Sequence, residues 1–103
     1  MLNFYVKHTK DSYQIEGKTY KVEDALTEDV VAFLGICHAI FLCQKRKEYY
    51  GTIESNSFLA VKWVKEEKVP IENERTRNAI KYLKSIPTLR TINIEYTNEI
   101  REY

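Results

Sequence analysis

Residues 30–43 read Val-Val-Ala-Phe-Leu-Gly-Ile-Cys-His-Ala-Ile-Phe-Leu-Cys, fourteen positions in which His38 is the one strongly polar side chain. A helix that is apolar around its whole circumference has to be covered on most sides. The run is well short of the ~20 residues needed to span a bilayer. A central core helix, lying on a sheet and flanked by a second helix, is therefore expected, and no membrane contact. Thr27 is placed to cap it, with Glu28 and Asp29 in the first turn and Lys45, Arg46 and Lys47 in the last. Those charges match the helix dipole at both ends.

The flanking segments supply the sheet. Residues 2–8 are rich in aromatic and β-branched types, and Thr9 to Ser12 bring turn chemistry. Residues 12–16 and 19–22 read as two short strands joined at Glu16-Gly17-Lys18. After the apolar helix, residues 51–55 form a strand. Residues 57–68 form a helix with Leu59, Ala60, Trp63 and Val64 inward, and residues 69–72 are a connection. Residues 73–85 form a third helix with Ala79, Ile80 and Leu83 inward, stopped by Pro87. In residues 89–97, Ile92, Ile94 and Tyr96 alternate with Thr91, Asn93 and Glu95, the period of a half-buried strand. The order β-β-β-α-β-α-α-β predicts an α/β fold with a mixed five-stranded sheet and helices packed on its faces. At 103 residues, one domain over 1–103 is expected.

The net charge of +1 gives no general pull towards nucleic acid, but it is unevenly spread. Residues 41–90 hold eleven Lys/Arg against six Asp/Glu, a net of +5, and the remainder holds five against nine, −4. A local basic face could follow. Cys37 and Cys43 are six apart on one helix, which turns them roughly 240° from each other and rules out a disulfide between them. Two buried free thiols and an N-terminus without the pattern of a signal peptide predict a cytoplasmic protein.

Two segments carry a family resemblance. Glu28-Asp-Val-Val-Ala-Phe-Leu-Gly-Ile-Cys-His-Ala-Ile40 is similar to a helix of the pattern Asn-Asn-x-x-Glu-Phe-Leu-Ala-x-x-His-Ala-Leu. Ile53-Glu-Ser-Asn-Ser-Phe-Leu-Ala-Val-Lys-Trp-Val-Lys65 is similar to Ile-Tyr-Ser-Asp-Ser-x-x-Ala-x-x-Trp-Val-Lys, and Glu74-Arg75-Thr76 follows a basic stretch as it does there. Both patterns belong to ribonuclease H, in its bacterial and viroplasmin-linked branch, and the chain resembles that family over roughly residues 27–100. The resemblance implies a ribonuclease H-like fold and, for an active member, carboxylates converging on two divalent cations. Here the helix acid falls on Ala32 and the strand-end acid on Asn56, a neutral and poor ligand for a hard cation. The first strand holds no acid, and the last position falls near Tyr103, with Glu99 and Glu102 as neighbours. The resemblance therefore implies a pseudoenzyme: no catalytic residue, no metal ligand and no cofactor.

The other chemistry-bearing residues have plainer readings. Glu54 could face the same way as Asn56, yet one carboxylate is not a two-metal site. His38 reads as a packed, hydrogen-bonded core histidine, and His8 has no evident partner in sequence. No nucleophile triad, phosphate-binding glycine loop or zinc motif is present. Lys62, Lys65 and Lys68 fall on one helical row and Arg75 follows, with Arg77, Lys81 and Lys84 on the next helix. These could track nucleic-acid phosphates, as basic segments do in the family. As a solvated exterior they would pair with Glu66, Glu67 and Glu74. The expected function is a non-catalytic binding or interaction module whose partner is an unidentified protein or a second copy of the chain, met through the Ile92–Tyr96 strand at the sheet's edge or through Tyr49, Tyr50, Tyr96 and Tyr103. Binding to a duplex or RNA/DNA hybrid through the 57–84 region is the alternative.

Overall fold

The apolar helix is built as the sequence requires, and the rest of the chain is arranged to cover it. A computed structural model describes residues 3–23, 27–70, 73–86 and 91–98. In chain order the elements are β1 (Asn3–His8), β2 (Ser12–Ile15), β3 (Lys18–Lys21), α1 (Glu28–Lys45), β4 (Thr52–Ser55), α2 (Phe58–Glu66), α3 (Glu74–Ser85) and β5 (Asn93–Tyr96). The five strands form one mixed sheet in the order β3-β2-β1-β4-β5. β2 pairs antiparallel with both β1 and β3, while β1, β4 and β5 are parallel. The turn between β2 and β3 has positive φ at both Glu16 (53°) and Gly17 (81°), as a two-residue hairpin needs to follow the strand twist.

Parallel pairing aligns Phe4, Ile53 and Ile94 in one row and Val6, Ser55 and Tyr96 in the next. All of these are buried except Tyr96. α1 lies over β1, β2 and β4, α2 over β4 and β5, and α3 packs against α1. The buried face of α1 presents Val30, Phe33, Ile36, Ile40 and Cys43, none of them exposed to solvent. Trp63 of α2 meets Phe33 edge to face, with ring centroids 6.5 Å apart. Cys37 and Cys43 are both buried and free.

Three expectations are corrected. Among the described residues the helices cover one sheet face, not both. The opposite face carries Tyr5, Lys7, Thr52, Glu54, Asn93 and Glu95, of which only Tyr5 is buried. Its polar alternation fits a sheet solvated on one side. Leu59, expected inward, is 42% exposed, because the inner row of α2 is Ala60, Val61, Trp63 and Val64. Leu59 lies about 120° from the centre of that row at 100° per residue. Tyr96 shares the helix-side face with Ile94 but is 46% exposed, since it sits on the sheet's edge strand against Phe58, itself 63% exposed at the start of α2.

Local chemistry sets the helix ends. Thr27 accepts a hydrogen bond from the Val30 amide at the start of α1. At the start of α3, Asn73 Oδ1 accepts from the Thr76 amide and Thr76 Oγ1 from the Asn73 amide, at 2.9 and 2.8 Å. α1 and α2 both stop on a left-handed residue, Lys47 (φ 58°) and Glu67 (φ 54°). The following amides turn back to the carbonyls of Cys43 and Trp63, closing two Schellman ends without glycine. α2 thus ends at Glu66, and Lys68 leaves the helical row assigned to it from sequence. Pro87, Leu89 and Arg90 lie outside the described residues; Thr91, Ile92 and Thr97, expected in the last strand, fall outside β5, which spans four residues.

Candidate functional site

The carboxyl ends of adjacent parallel strands are where open α/β sheets place their ligands. Here that place is the end of β1 and β4, with the N-termini of α1 and α2 beside it. Ser55 is fully buried, and its Oγ accepts a hydrogen bond from the Ser57 amide at 3.1 Å. Ser57 Oγ then accepts from the Ala60 amide at 3.1 Å, capping α2, and donates to Asp29 Oδ1 on α1 at 2.9 Å. Between the two serines, Asn56 Oδ1 accepts a hydrogen bond from His8 Nδ1 at 2.7 Å. His8 therefore has a partner, 48 residues away in sequence, which no local pattern indicates.

Ala32 is on α1 and fully buried, one helical step beyond Asp29, and offers only a methyl group to its surroundings. Glu54 belongs to the row Tyr5–Glu54–Glu95 across the sheet. The strand ends at Ser55, so its alternation does not extend to Asn56. Asp29, assigned from sequence only to the helix dipole, is the carboxylate that reaches this junction. Among the described residues no three His, Cys, Asp or Glu side chains are grouped to hold a metal ion. Glu99, Glu102 and Tyr103 lie outside the described residues. The junction thus links four elements through one imidazole, one carboxamide, two hydroxyls and one carboxylate. Ser57→Ala should lower stability by about 1–2 kcal/mol, because it removes the α2 cap and leaves Asp29 without that donor. Urea unfolding midpoints should show this loss, and Ser57→Thr should retain most of the stability.

His38 is half-buried within an aromatic cluster. Its Nδ1 lies 2.8 Å from the Tyr13 hydroxyl, and its ring meets Tyr20 edge to face at 4.5 Å. Burial lowers the His38 pKa, and burial first, then Tyr20 and Cys37, push Tyr13 up to about 12 against an opposing Arg75. A neutral imidazole accepting from a protonated phenol satisfies both groups, in agreement with a packed core role. Burial also raises the thiol pKa of Cys37 and of Cys43, so neither is poised as a thiolate.

The basic residues divide. Lys62 and Lys65 are exposed on α2, and Arg75 is exposed in the first turn of α3. None of the three lines the cleft that opens between the end of α2 and α3. That cleft has a volume of about 400 Å³ and gathers Lys68, Arg77, Lys81 and Lys84 over a floor of Val69, Thr76 and Ile80. Glu67 is, among the described residues, the one acid on its wall. Among the described residues none of the four cations is ion-paired, whereas Arg46 is paired with Glu16 at 2.7 Å. Of the four basic residues favoured from sequence, only Lys68 is part of this surface. Arg77, Lys81 and Lys84 follow a spacing of four and three along α3, the signal that could have selected them. No protein-family model matches the chain, and no curated protein matches it in sequence.

Proposed function

We propose that the chain is a ribonuclease H-like domain that binds without cleaving. The observation that carries this reading is Asn56: at the strand end where the resemblance implies a metal-ligating carboxylate, a neutral amide is hydrogen-bonded to His8. Ala32, buried on α1, supports it from the second position. Two-metal hydrolysis requires acids that bridge and flank both cations, and Asp29 and Glu54 do not make up such a set. Incubated with an RNA/DNA hybrid and magnesium or manganese, the protein should leave the substrate intact at background level. Metal-stimulated cutting that is lost in Asp29→Asn or Glu54→Gln would overturn the proposal.

The α2–α3 cleft favours one ligand class for such a module. Four cations without an ion pair among the described residues, around a floor of Val69, Thr76 and Ile80, suit a polyanion whose phosphates are about a helix turn apart. Duplex or hybrid binding through this surface should weaken with salt, with a slope of roughly −2 to −3 in log K against log salt if three cations each displace a counterion. Arg77→Glu with Lys81→Glu should abolish binding at moderate salt, and Lys62→Glu with Lys65→Glu should reduce it far less. Equal loss from both pairs, or a salt-independent affinity, would remove this ligand class.

A further inference from the structure

We propose that the outer edge of β5 is a self-association surface, pairing antiparallel with β5 of a second copy across a twofold axis, with Ile94 opposite Ile94 of that copy. This surface is separate from the junction and the cleft, and its test does not depend on them. The inner side of β5 is fixed by Asn93 N donating to Gly51 O and Thr97 N to Ser55 O, both at 2.9 Å. Backbone groups alternate sides along a strand, so the N–H and C=O of Ile94 and Tyr96 point away from the sheet. Among the described residues no strand takes them up.

The two edges of the sheet are defended differently. β3 carries exposed Lys18 and Lys21, a charged guard against pairing. β5 has no lysine, arginine or proline, and beside it lies an apolar patch. Phe58 (63% exposed) and Tyr96 meet edge to face at 5.7 Å, with Leu59 adjacent in sequence. Tyrosine and phenylalanine exposed together beside unpaired backbone are features of an interface.

The sequence of β5 selects a copy of itself. In an antiparallel pair, outward-facing residues must oppose outward-facing residues. Two central registers then remain. One places Glu95 opposite Glu95 of the second copy and is repulsive. The other places Ile94 opposite Ile94, Tyr96 opposite Ile92, and Asn93 opposite Glu95, the last two contacts occurring twice by symmetry. Asn93 Nδ2 already donates to Glu95 Oε1 of its own strand at 2.6 Å. A second amide hydrogen and a second carboxylate oxygen stay available to reach across. An arbitrary foreign strand has no such reciprocal pairing.

The register gives a charge test on exposed positions that leaves the core untouched. Light scattering or sedimentation of the full chain should show a monomer–dimer equilibrium between about 1 and 200 μM. Amide exchange at Ile94 and Tyr96 should slow as concentration rises, while Asn93 and Thr97 should be protected throughout. Asn93→Glu, which opposes two carboxylates twice, should weaken the dimer by about ten- to thirtyfold. Adding Glu95→Lys to it should restore the dimer, and Asn93→Lys alone should tighten it. Circular dichroism of each variant separates loss of pairing from loss of fold. A chain monomeric at every concentration overturns the proposal and leaves the edge to a foreign strand. A dimer indifferent to both Asn93→Glu and the restoring Glu95→Lys places the interface elsewhere and overturns it equally.

Discussion

Gly35→Ala is expected to destabilise the protein by about 1–3 kcal/mol, although alanine is the better helix former. Gly35 is buried within α1 where that helix crosses β1 and β2. A Cβ built there would lie 2.7 Å from Val6 Cγ1, and 3.0 and 3.1 Å from Tyr13 Cγ and Cβ. Val6 is β-branched and fully buried, so it cannot swing aside. Tyr13 is held by its hydroxyl on His38. The helix therefore has to lift from the sheet, which opens gaps along the rest of the contact. The gain of ~1 kcal/mol from replacing glycine in a helix does not offset this. A double-mutant cycle checks the cause: Val6→Ala should cost more in the native background than in the Gly35→Ala background. If Gly35→Ala raises the unfolding midpoint, the close approach of α1 to the sheet is wrong.

Phe33→Ala is expected to cost about 3–5 kcal/mol, the range for a fully buried phenylalanine whose cavity cannot collapse. Phe33 has no solvent exposure and lies against Trp63, at the point where α1 and α2 meet above the sheet. A domain of this size commonly has a total stability of ~5–15 kcal/mol, so the variant should unfold at far lower urea. Trp63 fluorescence reports the same event, because the ring loses its edge-to-face neighbour. Phe33→Leu should show an intermediate loss. Phe41→Ala, on the same helix but 48% exposed, should change the midpoint little. Equal effects at positions 33 and 41 would contradict the orientation of α1.

The order of elements and their types were legible because each rests on a local pattern. The apolar run from Val30 to Cys43 requires a covered helix whatever surrounds it. Thr27 accepts the backbone hydrogen bond that its position implies, while Ser57 and Asn73, expected as the first helical residues, are the caps just ahead of α2 and α3. The alternation around Ile92 and Ile94 marks a strand with one buried side, and both are buried. The helix ends were less legible. Lys47 and Glu67 close α1 and α2 in the left-handed conformation that glycine usually supplies, and neither side chain announces it.

The candidate site was legible only in part. Ala32 and Asn56 could be named because they occupy positions in a contiguous pattern. His8 and Asp29 could not, because their partners Asn56 and Ser57 are 48 and 28 residues away. The favoured basic row, Lys62, Lys65 and Lys68, follows helical spacing, but Glu67 turns the chain before Lys68 and sends it into the cleft with α3.

By itself the sequence determined which segments are helices and strands and where their main apolar faces lie. These follow from periodicity and residue chemistry along a contiguous chain. Only the tertiary structure decided that among the described residues the helices share one sheet face, that His8 closes on Asn56, and that the cations of α3 line a cleft. Each of these depends on packing between segments far apart in sequence, and short-range patterning carries no record of such packing.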